Sequence, residues 1–126
     1  MQKFKVPIPK GNVAFNAKEA FLVAKQFGQG YDQGFVVKAQ VLGGGRGMGY
    51  FMETGFQGGV HIVKSPEEVQ AIADKMCGKT LITKQSGETG FPCNCVYIVE
   101  KIRISKEIYM SLTLDRQAGM PVFVYS

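Results

Sequence analysis

The amino-acid sequence predicts an α+β fold with a largely antiparallel sheet and two helices. Three observations point there. Two segments carry helical periodicity between clear caps, the remaining periodic runs read as strands, and consecutive strands are joined by short links. Short links favour antiparallel pairing over a doubly wound parallel sheet. The order is helix, two strands, helix, then four strands. With 126 residues, 45% hydrophobic and 20% charged, the chain has the balance of a folded domain rather than a disordered segment.

Asn16-Ala17-Lys18-Glu19 opens the first helix, with Asn16 as N-cap and Glu19 three residues on. Ala20, Val23, Ala24 and Phe27 then recur on one face, and Gly28 supplies the left-handed stop. Strands are expected at 35–42 and 59–63, flanking a glycine-rich segment. In the second helix Ser65 caps, Pro66 takes the first helical position and Glu68 completes a capping box. Val69, Ile72, Ala73 and Met76 form its apolar stripe, and Gly78 ends it. Strands at 80–84, 95–100, 108–114 and 122–125 follow, the last two joined by a hairpin connection at Gln117–Pro121. The final strand stops at Ser126 with no closing element, which leaves open that the chain is cut inside a domain.

Fifteen Lys and Arg against ten Asp and Glu give a net charge of +5, which favours anionic partners. The basic residues are dispersed, so no nucleic-acid arm is indicated. No stretch approaches the roughly 20 apolar residues of a membrane span, and Met1–Pro7 has no apolar core of a secretory signal. Cys77, Cys93 and Cys95 are expected as reduced thiols, not as a metal site. His61 alternates with Val60 and Ile62, so it is expected to face outward as a structural residue, and the methionines are expected to fill core gaps.

The strongest local signal is Val36-Val37-Lys38-Ala39-Gln40-Val41-Leu42-Gly43-Gly44-Gly45-Arg46-Gly47-Met48-Gly49. A strand carrying one lysine empties into five glycines around one arginine. Glycines let backbone N–H groups converge on an anion, and Lys38 and Arg46 would add fixed charge beside phosphate oxygens. Neither a Walker A loop nor a G-x-G-x-x-G spacing is present. A solvated hairpin tip is the plain alternative. A third is RNA binding, because Arg46-Gly47-Met48-Gly49-Tyr50-Phe51 partly matches the aromatic strand of an RNA-recognition motif. Glu100, at the end of the run Val96-Tyr97-Ile98-Val99, either accepts from a nucleotide's amino or hydroxyl groups or pairs with Lys101 or Lys106 at the surface. Glu107 has the same two readings.

Further motifs occur in a fixed order. After the loop come Gly58-Gly59-Val60-His61, Ser65-Pro66-Glu67-Glu68, Met76-Cys77-Gly78-Lys79, Thr83-Lys84-Gln85, Val99-Glu100, Lys106-Glu107-Ile108-Tyr109 and Asp115-Arg116. Val6-Pro7-Ile8-Pro9-Lys10-Gly11 precedes it. Together they closely resemble the β subunits of succinyl-CoA synthetase (succinate–CoA ligase), an ATP-grasp family whose loop reads V-K-A-Q-V-L-A-G-G-R-G. The resemblance covers nearly the whole chain, and several motifs in one order are far more specific than one loop.

The resemblance implies an ATP-grasp small lobe over 1–101 and the first strands of the second lobe, truncated, over 102–126. It makes Lys38 a nucleotide phosphate contact and puts Gly45, Arg46 and Gly47 on the family's phosphate-loop triplet. Glu100 falls on the nucleotide-recognition carboxylate, Ile102 nearby supplies backbone to the base, and Glu107 is a second glutamate near the nucleotide. No catalytic residue is implied here. The family's magnesium ligands and CoA-ligase domain lie beyond Ser126, so the chain alone is expected to be inert. The phosphohistidine belongs to the α subunit, so His61 is not that residue.

The implied cofactors are ATP/ADP or GTP/GDP, with Mg2+ in the full-length protein. The implied partners are the α subunit and the nucleotide, with CoA and succinate in the full assembly. The implied compartment is the mitochondrial matrix in a eukaryote or the cytoplasm in a bacterium. Gly43 stands for the usual Ala, and Met48 stands where Lys or Arg commonly follows, which removes one positive charge beside the phosphates. Another ATP-grasp carboxylate ligase is the alternative within enzymes.

Overall fold

The computed structural model describes residues 2–27 and 33–126. Helices α1 (Ala17–Gln26) and α2 (Pro66–Met76) start from one arrangement. Asn16 Oδ1 accepts the Glu19 N–H at 2.9 Å, and the Glu19 carboxylate accepts the Phe15 N–H at 2.9 Å. Ser65 Oγ accepts the Glu68 N–H at 3.2 Å, and the Glu68 carboxylate accepts the Lys64 N–H at 2.8 Å. Each acid reaches one residue further back than in the usual capping box, and each still satisfies a backbone donor at the helix entry. At the far end of α2 the Cys77 N–H donates to Ala73 O, and Gly78 takes the left-handed conformation at φ 72°. Gly28, expected to stop α1, lies outside the described residues.

The strands are β1 (Gly11–Ala14), β2 (Phe35–Gln40), β3 (Tyr50–Phe51), β4 (Val60–Val63), β5 (Lys79–Ile82), β6 (Phe91–Cys93), β7 (Cys95–Glu100), β8 (Met110–Asp115) and β9 (Met120–Tyr125). They form an antiparallel four-stranded sheet in the order β1-β7-β2-β4, a three-stranded sheet β3-β5-β6, and the hairpin β8-β9. Directly opposed residues share a face of an antiparallel sheet. One face of the large sheet therefore carries Phe35, Val37 and Ala39 with Val96, Ile98 and Ala14, all buried against α1 and α2. The helices contribute Ala20, Val23, Ala24, Val69, Ala73 and Met76 to that core. The opposite face carries Lys38 beside Tyr97 and Val60; it is half-buried for the most part, with Val60 and Ile62 exposed.

The chain passes between the two larger sheets four times: through 41–49 from β2 to β3, through 52–59 from β3 to β4, through α2 from β4 to β5, and through Asn94 from β6 to β7. These crossings set the position of the glycine loop.

Three findings differ from the sequence reading. β1, β3 and β6 were not expected as strands, and all three are edges of their sheets. His61 does not face outward: it lies in the row of Val37 and Ile98, half-buried, while Val60 and Ile62 face solvent. The cause is an aromatic platform, since the His61 ring stacks on Phe56 at 4.6 Å and Lys75 of α2 lies over the other ring at 5.0 Å. Of Met48, Met52, Met76, Met110 and Met120, only Met76 fills the core. Met48, Met52, Met110 and Met120 are exposed.

Candidate functional site

β2 carries Lys38 on the face of the large sheet opposite the helices and then delivers the chain into the glycine loop. The loop turns at Gly45, whose φ of 72° favours a residue without a side chain. It is closed by the Met48 N–H on Gly45 O at 3.1 Å and the Gly49 N–H on Arg46 O at 3.3 Å. None of these bonds uses the N–H groups of Gly45, Arg46 or Gly47.

The Gly58-Gly59-Val60-His61 motif runs beside the loop and holds it. Gly58 N–H donates to Gly49 O at 2.7 Å, Gly59 N–H donates to Arg46 O at 2.8 Å, and Gly59 O accepts the Ala39 N–H at 2.7 Å. His61 Nε2 lies 2.7 Å from Gly58 O, which fixes the start of that segment. His61 thus acts on the loop's support, as a structural residue.

Arg46 turns back toward β2, where Nη1 donates to Ala39 O at 2.7 Å. That bond places the guanidinium beside the residue following Lys38 and leaves its other donors available. Gly47 is the informative glycine. Its φ is not positive, and a Cβ there would meet nothing within 4 Å. Nothing in the chain requires glycine at this position, so the missing side chain leaves room for something outside it.

Glu100 sits at the other end of the sheet, opposite Phe35 where β2 begins. Its Oε1 accepts the Lys10 N–H at 2.7 Å, and its own N–H donates to Lys10 O at 2.9 Å. The carboxylate therefore ties β7 to the segment entering β1. Ile102 and Glu107 lie in the exposed stretch 101–109, which enters with the Lys101 N–H on Gly34 O at 3.0 Å. The structure thus brings Lys38, Gly45, Arg46 and Gly47 to the loop end of β2. It leaves Glu100, opposite Phe35, at the other end of that strand.

Sequence reasoning gave no role to Gln85 and Phe91, and both touch the loop. Gln85 Oε1 accepts the Gly44 N–H at 2.8 Å, and a Cβ on Gly43 would enter the Phe91 ring. The only signal was the place of Gln85 in the Thr83-Lys84-Gln85 motif. A cleft of about 560 Å³ opens beside the loop, walled by Val41, Leu42, Phe91, Pro92 and Cys95. None of the residues singled out for nucleotide contact lines it. Burial, with the neighbouring thiols of Cys93 and Cys95, pushes the Cys77 thiol up to about 11, which makes it a poor nucleophile.

The Arg46–Phe51 match to an RNA-binding strand is not realised as a stacking surface. β3 is two residues long, and Phe51 is fully buried. The loop itself fits phosphate, because it joins unused N–H donors, an open glycine and two cations. Among the described residues no three His, Cys, Asp or Glu side chains converge as metal ligands. Among the described residues no helix is long and apolar enough to cross a membrane.

The ATP-grasp domain model matches residues 1–126, and the chain belongs to that family. Within it the chain is similar to β subunits of ADP-forming succinate–CoA ligase. The hydrogenosomal subunit of Neocallimastix frontalis is 44% identical over 126 residues, covering all of this chain and 28% of that protein. The subunit of Blastocystis sp. subtype 1 is 46% identical over 125 residues, covering 98% of this chain and 30% of that protein. The mitochondrial subunit of Columba livia is 44% identical over 126 residues, covering 100% and 30%. The chain therefore spans less than a third of the length of these relatives.

Proposed function

We propose that this chain is the nucleotide-phosphate-binding part of a succinate–CoA ligase β subunit, with 1–101 as the small ATP-grasp lobe and 102–126 as the start of the second. The whole enzyme would convert succinyl-CoA, phosphate and ADP or GDP into succinate, CoA and ATP or GTP, through a phosphohistidine on a partner α subunit. The ADP-forming names of the relatives favour the adenine nucleotide. The compartment would be the mitochondrial matrix in a eukaryote, a reading that the mitochondrial names of several relatives support, or the cytoplasm in a bacterium.

The single observation that carries this reading is the open middle of the loop. Gly47 faces free space at ordinary backbone angles, between the unused donors of Gly45 and Arg46 and the strand bearing Lys38. Bound nucleotide would supply or receive the transferring phosphoryl group. Toward it, the Gly45–Gly47 N–H groups act as fixed dipoles that need no rearrangement as charge shifts between phosphate oxygens. Lys38 contributes a point charge from the sheet face opposite the helices, and Arg46 contributes the planar donor edge not engaged by Ala39 O. Glu100, Ile102 and Glu107 are proposed for the base and sugar end, supported by the position of Glu100 at the end of β2 remote from the loop. Magnesium in the full-length enzyme would draw its ligands from outside this chain, and no step is derived through it.

The test uses the full-length protein with its partner. Lys38→Ala with Arg46→Ala is expected to cut nucleotide-dependent phosphorylation of the partner's histidine at least about a hundredfold, the order of magnitude for removing preorganised charge from a transferring group. Unchanged phosphorylation would show the site assignment to be wrong. Absence of any CoA-dependent reaction in the whole polypeptide would favour a different ATP-grasp carboxylate ligase.

A further inference from the structure

We propose that Gln85 is a positioning residue for the phosphate loop: its amide braces the Gly44 peptide so that the donors of Gly45–Gly47 stay aimed at a nucleotide's phosphates. The inference rests on the nucleotide reading above. Gln85 and Gly44 are 41 residues apart, yet Gln85 Oε1 accepts the Gly44 N–H at 2.8 Å. The turn that carries Gln85 is itself tied down. The buried Thr83 accepts through Oγ1 from the N–H groups of Gln85 and Ser86, each at 3.2 Å, and Ser86 Oγ accepts the Thr83 N–H at 2.9 Å. The amide thus reaches the loop from a preset base.

Both ends of the loop are covered and its middle, Gly45 to Gly47, is open: a Cβ at Gly49 would lie 2.5 Å from Ile82 O, whereas one at Gly45 would meet only Thr83 at 3.9 Å. A Cβ at Gly43 would enter the Phe91 ring, and one at Gly44 would lie 2.9 Å from both Gln85 Oε1 and Nε2. A Cβ at Gly47 would meet nothing within 4 Å. Ligand oxygens therefore approach the Gly45–Gly47 stretch, and Gln85 covers Gly44 beside it. This division decides between two roles. An occupant waiting to be displaced by phosphate would sit over the open stretch, whereas a side chain over the covered Gly44 supports the loop while ligand is bound. Glycine loses more conformational entropy on ordering than any other residue, and five of the seven residues from Gly43 to Gly49 are glycine. A bond that orders the loop beforehand reduces the ordering cost of binding.

The experiment measures ADP and adenosine binding by calorimetry in the complete polypeptide assembled with its partner subunit, for wild type, Gln85→Ala and Lys38→Ala. Gln85→Ala is expected to raise the ADP Kd about tenfold, the scale of one hydrogen bond. The adenosine Kd should change by less than about twofold, and the ligand-free thermal midpoint by less than about 2 °C. An unchanged or tighter ADP Kd overturns the brace. So does an equal weakening of ADP and adenosine, or a larger fall in the midpoint, since either makes Gln85 a general support of the fold. Lys38→Ala separates this claim from the one beneath it. If Lys38→Ala binds ADP as wild type does, the nucleotide reading fails and the brace with it. If Lys38→Ala loses ADP while Gln85→Ala does not, the brace alone fails.

Discussion

Glu53 shows what one surface carboxylate does for this fold. Its Oε1 and Oε2 accept the Thr80 N–H at 3.0 and 2.8 Å, and Oε1 accepts the Thr80 hydroxyl at 2.8 Å, tying the turn after β3 to β5. The backbone bond from Thr80 is the largest of the effects that hold the Glu53 carboxyl below its usual range, and the hydroxyl and Lys79 act in the same direction. A carboxyl whose pKa is lower folded than unfolded stabilises the fold above its unfolded pKa. That contribution is lost as pH falls through the folded value. Glu53→Gln is therefore expected to lower the thermal midpoint at pH 7, with the gap from wild type closing as pH falls to about 2. A gap of equal size at both pH values, read by scanning calorimetry, would contradict the charge-based origin.

At the scale of elements, what was legible in the sequence is what is locally determined. Asn16 with Glu19 and Ser65 with Glu68 fix the helix starts through bonds spanning three or four residues, so caps and periodicity found both helices. β1, β3 and β6 were hidden for the opposite reason. Gly11-Asn12-Val13-Ala14 is poor in strand-forming residues, Tyr50-Phe51 is very short, and β6 has Pro92 at its centre. Each is a strand because β7 or β5 already offers a ladder, and a sheet edge tolerates proline. The candidate site divides in the same way. The glycine run and Lys38 could be read directly. That Arg46 turns onto Ala39, that Gly43 and Gly44 are covered while Gly47 is open, and that Gln85 reaches Gly44 all depend on contacts 7 to 41 residues away or on packing. The β8–β9 hairpin makes a further prediction. Among the described residues it pairs only with itself, and Leu112, Leu114, Phe123 and Tyr125 are all more than 60% exposed. A two-stranded hairpin is marginal by itself. In the 126-residue chain its amides should exchange with solvent well before those of Val37 and Ile98, as followed by NMR. Equal protection would contradict that independence.

At the scale of the whole molecule, the two larger sheets are joined by four chain crossings, with both helices on one face of the four-stranded sheet and the glycine loop on the first crossing. Burying Val37, Ala39, Val96 and Ile98 beneath α1 and α2 makes the large sheet a rigid base, and its opposite face presents Lys38. The net charge of +5 on the chain as a whole has the sign that favours an anionic ligand. The central claim is that the open middle of the loop receives nucleotide phosphates. Gly47→Ala tests it most directly, because alanine at ordinary backbone angles in open space leaves the fold unharmed and stabilises it, if anything, by about 0.4–1 kcal/mol. In the full-length protein with its partner, the thermal midpoint should hold or rise while the ADP Kd increases about tenfold or more, the equivalent of at least about 1.4 kcal/mol. An ADP Kd equal to that of wild type would contradict the claim.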